Sequence, residues 1–561
     1  MTAAEVVVDV DVVVANGTVV DGTGQAQFSA DIGIRSGRIV GVRRSESAAL
    51  RGGTTIDAAG LVVAPGFVDS NTHADWVLTS PQRDQLLASM VQQGVTTVVG
   101  GGCGFSPAPV DAAHVSELQS LTGFLHGAGY RFAWASFGEF AGACGLPNPP
   151  LNVALMVGQQ ALRCAVAGTR PGPLTSGELA RLRALVRDAL GAGAVGVSGN
   201  VGFVPGVYAD QAELRVLAEE AAGAGAVMSV HARAYTRLAP VYGLRPGPAH
   251  HIRAIRELVD LARRTGVRMQ ISHVGVMGRR AWPTARAVLD EFDAADADVG
   301  FDVIPYPVGV GPLQMIFPPW AVPGLAGGRA GAWTQAKIAA LARLQRRLVG
   351  LDYDDVQLLG TAVPDLAPLS GLTFGAIAAR LGTSPAGAEL EIARRARLAG
   401  IVAIHAFSGD ATGDAPLRQL LGHPRAAVIS NAALTAVGVP NPAAYGAFPR
   451  LLGRYARDHA VFPLEEAVRR ATSLPADRMG LREVGRIAEG YRADLVIFDP
   501  AAVADAGWPD NPPGPPAGIR DVLIAGRPVL HGGALNGTGR GGRLTRAAPS
   551  YGQGRSGLFL L

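Results

Sequence analysis

Apolar positions along the chain follow two rhythms. Near the amino terminus they come as short β-branched runs, Val12–Val14, Val19–Val20, Ile32–Ile34 and Ile39–Val42. Asn16-Gly17 and Ser36-Gly37 lie between them, and both dipeptides accept positive φ. Residues 7–42 are therefore expected to form a β-meander with hairpin turns at those two places. Ala493–Phe498 and Val522–Leu530 repeat the strand pattern near the other end, the second bent at Gly526. From residue 61 to about 306, β-rich runs alternate with amphipathic helical stretches, the order a parallel barrel requires. Strand ends are expected at Asn71–His73, Gly101–Cys103, Val157–Gln159, Val197–Gly199, Val230–His231, Ser272–His273 and Ile304–Tyr306, with the last barrel strand at Ala426–Ser430. The economical fold is a (β/α)8 TIM-like barrel over 64–483, inserted into a small β-sandwich built from both termini, 1–63 plus 484–535.

One helix can be argued closely. Thr175-Ser176-Gly177-Glu178 forms a capping box. Leu179, Leu182, Leu185, Val186, Ala189 and Leu190 then share a face at 3.6 spacing, and Gly191 and Gly193 end it. Residues 308–400 break the alternation. Pro312, Pro318, Pro319 and Pro323 open a Pro/Gly-rich stretch, a helical run follows from Trp333 to Leu348, and a segment this long reads as a lid or binding element. A helix over Leu464–Thr472 leads back to the sandwich. The tail 536–561, rich in Gly and Arg, is expected to be mobile.

Composition narrows the function classes. Of 561 residues 48% are apolar and 17% charged, enough for a large core and against long disorder. A formal charge of +4 with scattered basic residues gives no nucleic-acid or membrane footprint. Three cysteines, Cys103, Cys144 and Cys164, do not make a disulfide framework and fit a reducing cytoplasm. The first residues lack the basic start of a signal peptide, and no apolar run is long enough to span a bilayer. The expected partner is a small molecule; the oligomeric state stays open. Lys337 is the only lysine and falls in the inserted helical run, which argues against a lysine-bridged metal pair or a Schiff base.

The candidate chemistry gathers at strand ends. Ala64–Trp76 is an apolar run that ends in Asn71, Thr72, His73 and Asp75. His73, Cys103, His231 and His273 close four separate strands on the rim where such barrels keep their chemistry. Cys and His donors favour zinc, and three protein ligands with an open position mark a catalytic site. Cys103 sits in Gly-Gly-Gly-Cys-Gly-Phe-Ser, whose glycines would let backbone approach a metal or substrate.

These neighbourhoods carry a resemblance. The stretch Gly94–Val99 followed by Cys103-Gly104-Phe105-Ser106-Pro107 resembles the D-aminoacylase (N-acyl-D-amino-acid deacylase) group of the amidohydrolase superfamily. So do Ile271-Ser272-His273, Phe301–Tyr306, Pro319-Trp320, Tyr445–Arg450 through Arg457, Thr472–Ala476, and Gly485–Val496 at the return to the sandwich. The likeness runs from about residue 10 to 530. It implies a metal-dependent barrel hydrolase acting on C–N bonds other than peptide bonds. It also implies one tightly held zinc per chain on Cys103, His231 and His273, with His73 a further metal candidate.

The sequence departs from that pattern at several points. Asn71 stands where the first of two strand-one histidines is usual. Ser430-Asn431-Ala432 aligns with Ser-Asp-Gly, whose aspartate serves as general base; an Asn amide has no basic site of useful pKa. Asn441-Pro442-Ala443 replaces His-Pro-Arg, Gly275 replaces a lysine, Arg233-Ala234-Tyr235 replaces an Arg-Ser-Glu-like run, and Gln159 replaces a histidine. Together these changes are expected to abolish or weaken the ordinary deacylase reaction, since loss of a proton-transfer group costs ~10²–10⁴ in rate. Candidate catalytic residues are Asn431, His73 and His405, with Asp69, Asp75 and Asp302 nearby; Asp302 reads as orienting a ligand histidine. Candidate substrate-binding residues are Asn71, Arg233, Tyr306 and Phe203. Three readings follow. The first is a zinc hydrolase with a redirected substrate. The second is a non-hydrolytic zinc enzyme, a cyclase, condensing enzyme, lyase or isomerase. The third is a catalytically dead binding protein.

Overall fold

Eight short apolar runs pair side by side as one parallel sheet that curls into a barrel. The computed structural model describes residues 8–44, 50–126, 129–144, 148–243, 247–328, 331–434, 438–509, 511–536 and 541–546. The barrel strands are β1 (Phe67–Asp69), β2 (Val95–Gly100), β3 (Asn152–Gly158), β4 (Gly196–Asn200), β5 (Val227–His231), β6 (Arg268–Ile271), β7 (Val299–Val303) and β8 (Ala426–Val428). Each falls where the sequence pattern puts a barrel strand. Their side chains alternate, as strand geometry requires. On β3, Val153, Leu155 and Val157 join the main core, while Ala154 and Met156 meet Val68 and Val99 in a second cluster with Ala476 and Met479.

β1 and β8 share no strand ladder, so the seam is closed by other bonds. The Ser430 N–H donates to both oxygens of Asp69 at 3.2 Å, and the His73 N–H donates to Ala432 O at 2.9 Å. Asp69 therefore serves the seam, and burial raises its pKa to about 7.

Strands from both chain ends make one nine-stranded sheet around a shared core. Val14, Ile32, Ile34 and Val63 pack there against Leu495, Ile497 and Leu523. Ser36-Gly37 is the expected turn, joining Phe28–Arg35 to Arg38–Arg43. Asn16-Gly17 is not a hairpin. Val8–Val19 is one continuous strand with a register shift between Val14 and Gly17, and Asn16 takes φ 61° inside that bulge. A bulge and a primed turn make the same demand for positive φ, so the dipeptide signal did not separate them.

Helix α1 (Ser176–Gly191) has both bonds of the capping box, Thr175 with Glu178. Within the stretch 308–400, helix α2 (Ala332–Val349) covers the expected helical run, and Gly309–Pro312, Val356–Thr361 and Gly400–Ile404 form a separate three-stranded sheet. Lys337 lies on α2, with its ammonium 4.9 Å from the Trp320 ring. Residues 541–546 of the expected mobile tail are docked on the barrel: the Gly542 N–H donates to Asn152 Oδ1 and Leu544 N–H to Val153 O. Residues 1–7, 537–540 and 547–561 lie outside the described residues. Among the described residues no helix is long and apolar enough to cross a membrane, and the three cysteines are unpaired.

Beneath the rim, Arg163 and Glu213 form an ion pair with both side chains fully buried. Removing one partner of such a pair leaves the other charge uncompensated, at about 3–5 kcal/mol. Glu213→Ala is accordingly expected to lower stability by about that amount in urea denaturation, against less than about 1 kcal/mol for exposed Glu483→Ala.

Candidate metal centre

The loop after β2 brings Cys103 over the barrel mouth. Gly102 permits this: a Cβ there would sit 2.2 Å from Asn71 Oδ1. The glycine thus admits the neighbouring Asn71 side chain, a different role from backbone approach to a metal. Cys103 takes φ 50°, His273 φ 34° and Asn431 φ 49°. Three non-glycine residues held left-handed at one corner is the signature of a strained functional site.

Cys103, His231 and His273 converge, with donor atoms all within 4.8 Å of one another. Cys103 Sγ lies 3.2 Å from His273 Nε2, and His231 Nδ1 lies 3.0 Å from the same nitrogen. A tetrahedral zinc needs S···N near ~3.5 Å and N···N near ~3.3 Å. The donor set therefore fits zinc in chemistry and, within a few tenths of an ångström, in spacing. Burial raises the Cys103 thiol well above its usual range, with the Asp302 carboxylate adding to it. Burial likewise lowers His231 well below the usual imidazole value and His273 to about 4. Such a corner holds neutral imidazoles and lacks a positive charge to balance a thiolate, which a bound cation supplies.

A chain of buried hydrogen bonds holds Cys103 from below. Asn200 Nδ2 donates to Cys103 O at 3.0 Å, the Asn200 N–H donates to Gln159 Oε1 at 2.9 Å, and Gln159 Nε2 donates to Glu213 Oε1 at 2.8 Å. Gln159 is thus a structural link. Asp302 accepts the His273 N–H, so it orients that ligand through its backbone; burial raises Asp302 to about 7. Tyr235 donates to Ser272 O at 2.9 Å and accepts the Ala232 N–H, wedged against both histidine rings. Asn200 and Tyr235 were missed in the sequence; Asn200 had a readable signal, a polar residue ending a barrel strand.

The remaining candidates divide. Asn71 and Asn431 flank Cys103, with amide oxygens 3.8 and 3.5 Å from Sγ. His73 lines the same cavity but stands outside the three-atom convergence. Burial lowers it to about 3, and its Nδ1 has no hydrogen-bond partner. Phe203 lies over His231, ring centroids 4.5 Å apart. Arg233 lines the cavity with its guanidinium engaged by Val207 O, Ala209 O and Glu257.

Two candidates lie elsewhere. His405 follows Ile404 just past the end of its strand and is not among the residues that line the cavity. Its Nε2 meets Gln357 Oε1 at 2.9 Å and its ring stacks on Trp508. Tyr306 is also outside the cavity: its hydroxyl donates to Asp505 Oδ2 at 2.8 Å beneath the Arg450 guanidinium. Asp75 is fully buried, and burial raises it to about 8, against the opposing backbone hydrogen bond from Gly101.

The amidohydrolase family model matches residues 54–305 and 377–530. D-aminoacylase of Alcaligenes xylosoxydans xylosoxydans is 32% identical over 96% of this chain and 98% of its own. N-acyl-D-glutamate deacylase of the same organism is 31% identical over 93% of each chain. A solved N-acyl-D-glutamate deacylase from Bordetella bronchiseptica, complexed with zinc and a phosphonate mimic of the tetrahedral intermediate, superposes with TM-score 0.79 at 30% identity, covering 96% of this chain and all of that one.

Proposed function

The chain belongs to the amidohydrolase family, and from that premise we propose that it is a zinc-dependent enzyme that hydrolyses an amide-like C–N bond of a small molecule other than an N-acyl-D-amino acid. The convergence of Cys103, His231 and His273 carries the reading. Zinc held by these three would polarise the scissile carbonyl as a Lewis acid. Hydrolysis adds the oxygen of water to the acyl carbon, breaks the C–N bond and delivers a proton to the leaving nitrogen. Asn431 is placed to hydrogen-bond the reacting groups and has no site to hold that proton. Among the described lining residues outside the trio, His73 brings the one imidazole that would carry it, and burial keeps that ring neutral at rest. Asn71 and Tyr235 position the corner.

Asn431 also favours a second reading. A site that makes no hydroxide needs no general base, and the same Lewis acid would then serve a cyclisation, elimination or isomerisation. Label from ¹⁸O-water separates the two: it enters the product carboxylate only in hydrolysis.

Metal analysis of protein purified without chelator is expected to give one zinc per chain. Zinc near zero would sink both enzyme readings and leave a binding protein. Wild type that already hydrolyses N-acyl-D-amino acids as fast as N-acyl-D-glutamate deacylase does its substrate would end the redirected-substrate reading.

A further inference from the structure

Among the described residues, the cavity above the zinc corner has no unpaired positive charge. Two cationic side chains line it among the described residues, Arg233 and Arg346. Arg233 donates to Val207 O at 3.1 Å and Ala209 O at 3.4 Å, with Glu257 3.3 Å from Nε. Arg346 is buried, paired with Glu389, and donates to Asp352 O at 3.1 Å. Lys337 is not on the wall; it lies between Trp320 and Trp333.

The walls are apolar. Phe105, Phe203, Tyr235 and Phe407 ring the zinc corner, and Met277 and Phe317 extend the surface outward. Phe407 matters most. It is 4% exposed, its ring lies 6.0 Å from Tyr235, and it fills the space above residue 275 beside the ligand His273. A Cβ on Gly275 would come within 2.4 Å of two Phe407 ring carbons. No side chain of any kind, charged or neutral, can enter the corner from that position while the ring is there.

From this wall we infer the substrate class: an uncharged amide, lactam or imide that carries an aromatic or branched aliphatic group and no free carboxylate. The inference rests on the proposed zinc centre and names what that centre receives. With the zinc taken by the scissile carbonyl, a carboxylate on this wall would shed its water and meet no free cation among the described residues, whereas a carboxamide sheds less and leaves no bare charge. An aromatic or branched group gains the ring wall. Phe407 is the specificity-determining residue, because its ring fills the space above Gly275 beside His273.

The test uses the zinc-loaded full chain and two ligands that cannot turn over at the scissile position. Both are ketone isosteres of N-phenylacetyl-D-leucine with CH2 in place of the scissile NH; one ends in a carboxylate, the other in a carboxamide. Calorimetric titration is expected to show the carboxamide bound at least about tenfold more tightly. Phe407→Leu, which keeps an apolar wall, is expected to weaken carboxamide binding about fivefold with zinc content unchanged. Equal or tighter binding of the carboxylate overturns the inference, as does failure of both ligands to bind. Zinc measured on the same batch scores the centre separately. One zinc per chain with a carboxylate preference removes only the substrate class; no zinc with a carboxamide preference removes only the metal reading.

Discussion

Asn431→Asp is expected to raise hydrolysis of neutral N-acyl amides by about 10²-fold or more, chiefly in kcat. The substitution is nearly isosteric and suits the backbone, because φ 49° at residue 431 is a conformation that Asn and Asp tolerate best after Gly. The side-chain oxygen already stands 3.5 Å from Cys103 Sγ, at the corner where the acyl carbon must sit. What it lacks is basicity. Asp69, Asp75 and Asp302 do not line the cavity: all three are fully buried, Asp302 holds the His273 N–H, and Asp69 is committed to the seam at Ser430. A steady-state comparison across a panel of neutral amides reads the effect. An unchanged or lower kcat in a variant that keeps its zinc would show that the corner does not place residue 431 for proton transfer.

The barrel was legible because each strand is a short apolar run ending in polar residues, and this local signal survives without its neighbours. His73, Cys103, His231 and His273 were singled out in the same way, as polar groups closing such runs, and all four line one cavity. Expectation and structure part where one local signal fits two structures. Asn16-Gly17 satisfied a hairpin turn and a bulge alike, and His405 and Tyr306 each follow an apolar run yet face away from the cavity. Of the aromatic wall, Phe203 was singled out from the sequence, but Phe407 had no local signal. Gly275 read as an absent side chain, and only the fold shows that Phe407, from a distant loop, occupies its space. The chain from Glu213 through Gln159 and Asn200 to Cys103 is likewise a property of three strands brought side by side.

Cys103→Ala is expected to lose zinc and to reduce kcat/KM by about 10³-fold or more, since Lewis-acid stabilisation supplies several kcal/mol and each 1.36 kcal/mol is about tenfold. Cys103 is the one donor in the trio that can bear negative charge. Without it two neutral imidazoles remain, their nitrogens 3.0 Å apart, and the neighbouring amide oxygens of Asn71 and Asn431 are weak zinc ligands beside a thiolate. The informative partner is His73→Gln. His73 lies beside the trio and outside its convergence, so this variant is expected to keep one zinc per chain while losing about 10²-fold in kcat. Metal content and rate then move together at residue 103 and apart at residue 73, which separates holding the ion from carrying the proton. Zinc lost from His73→Gln would instead make His73 a fourth ligand, and the proton would need a carrier that the corner does not offer.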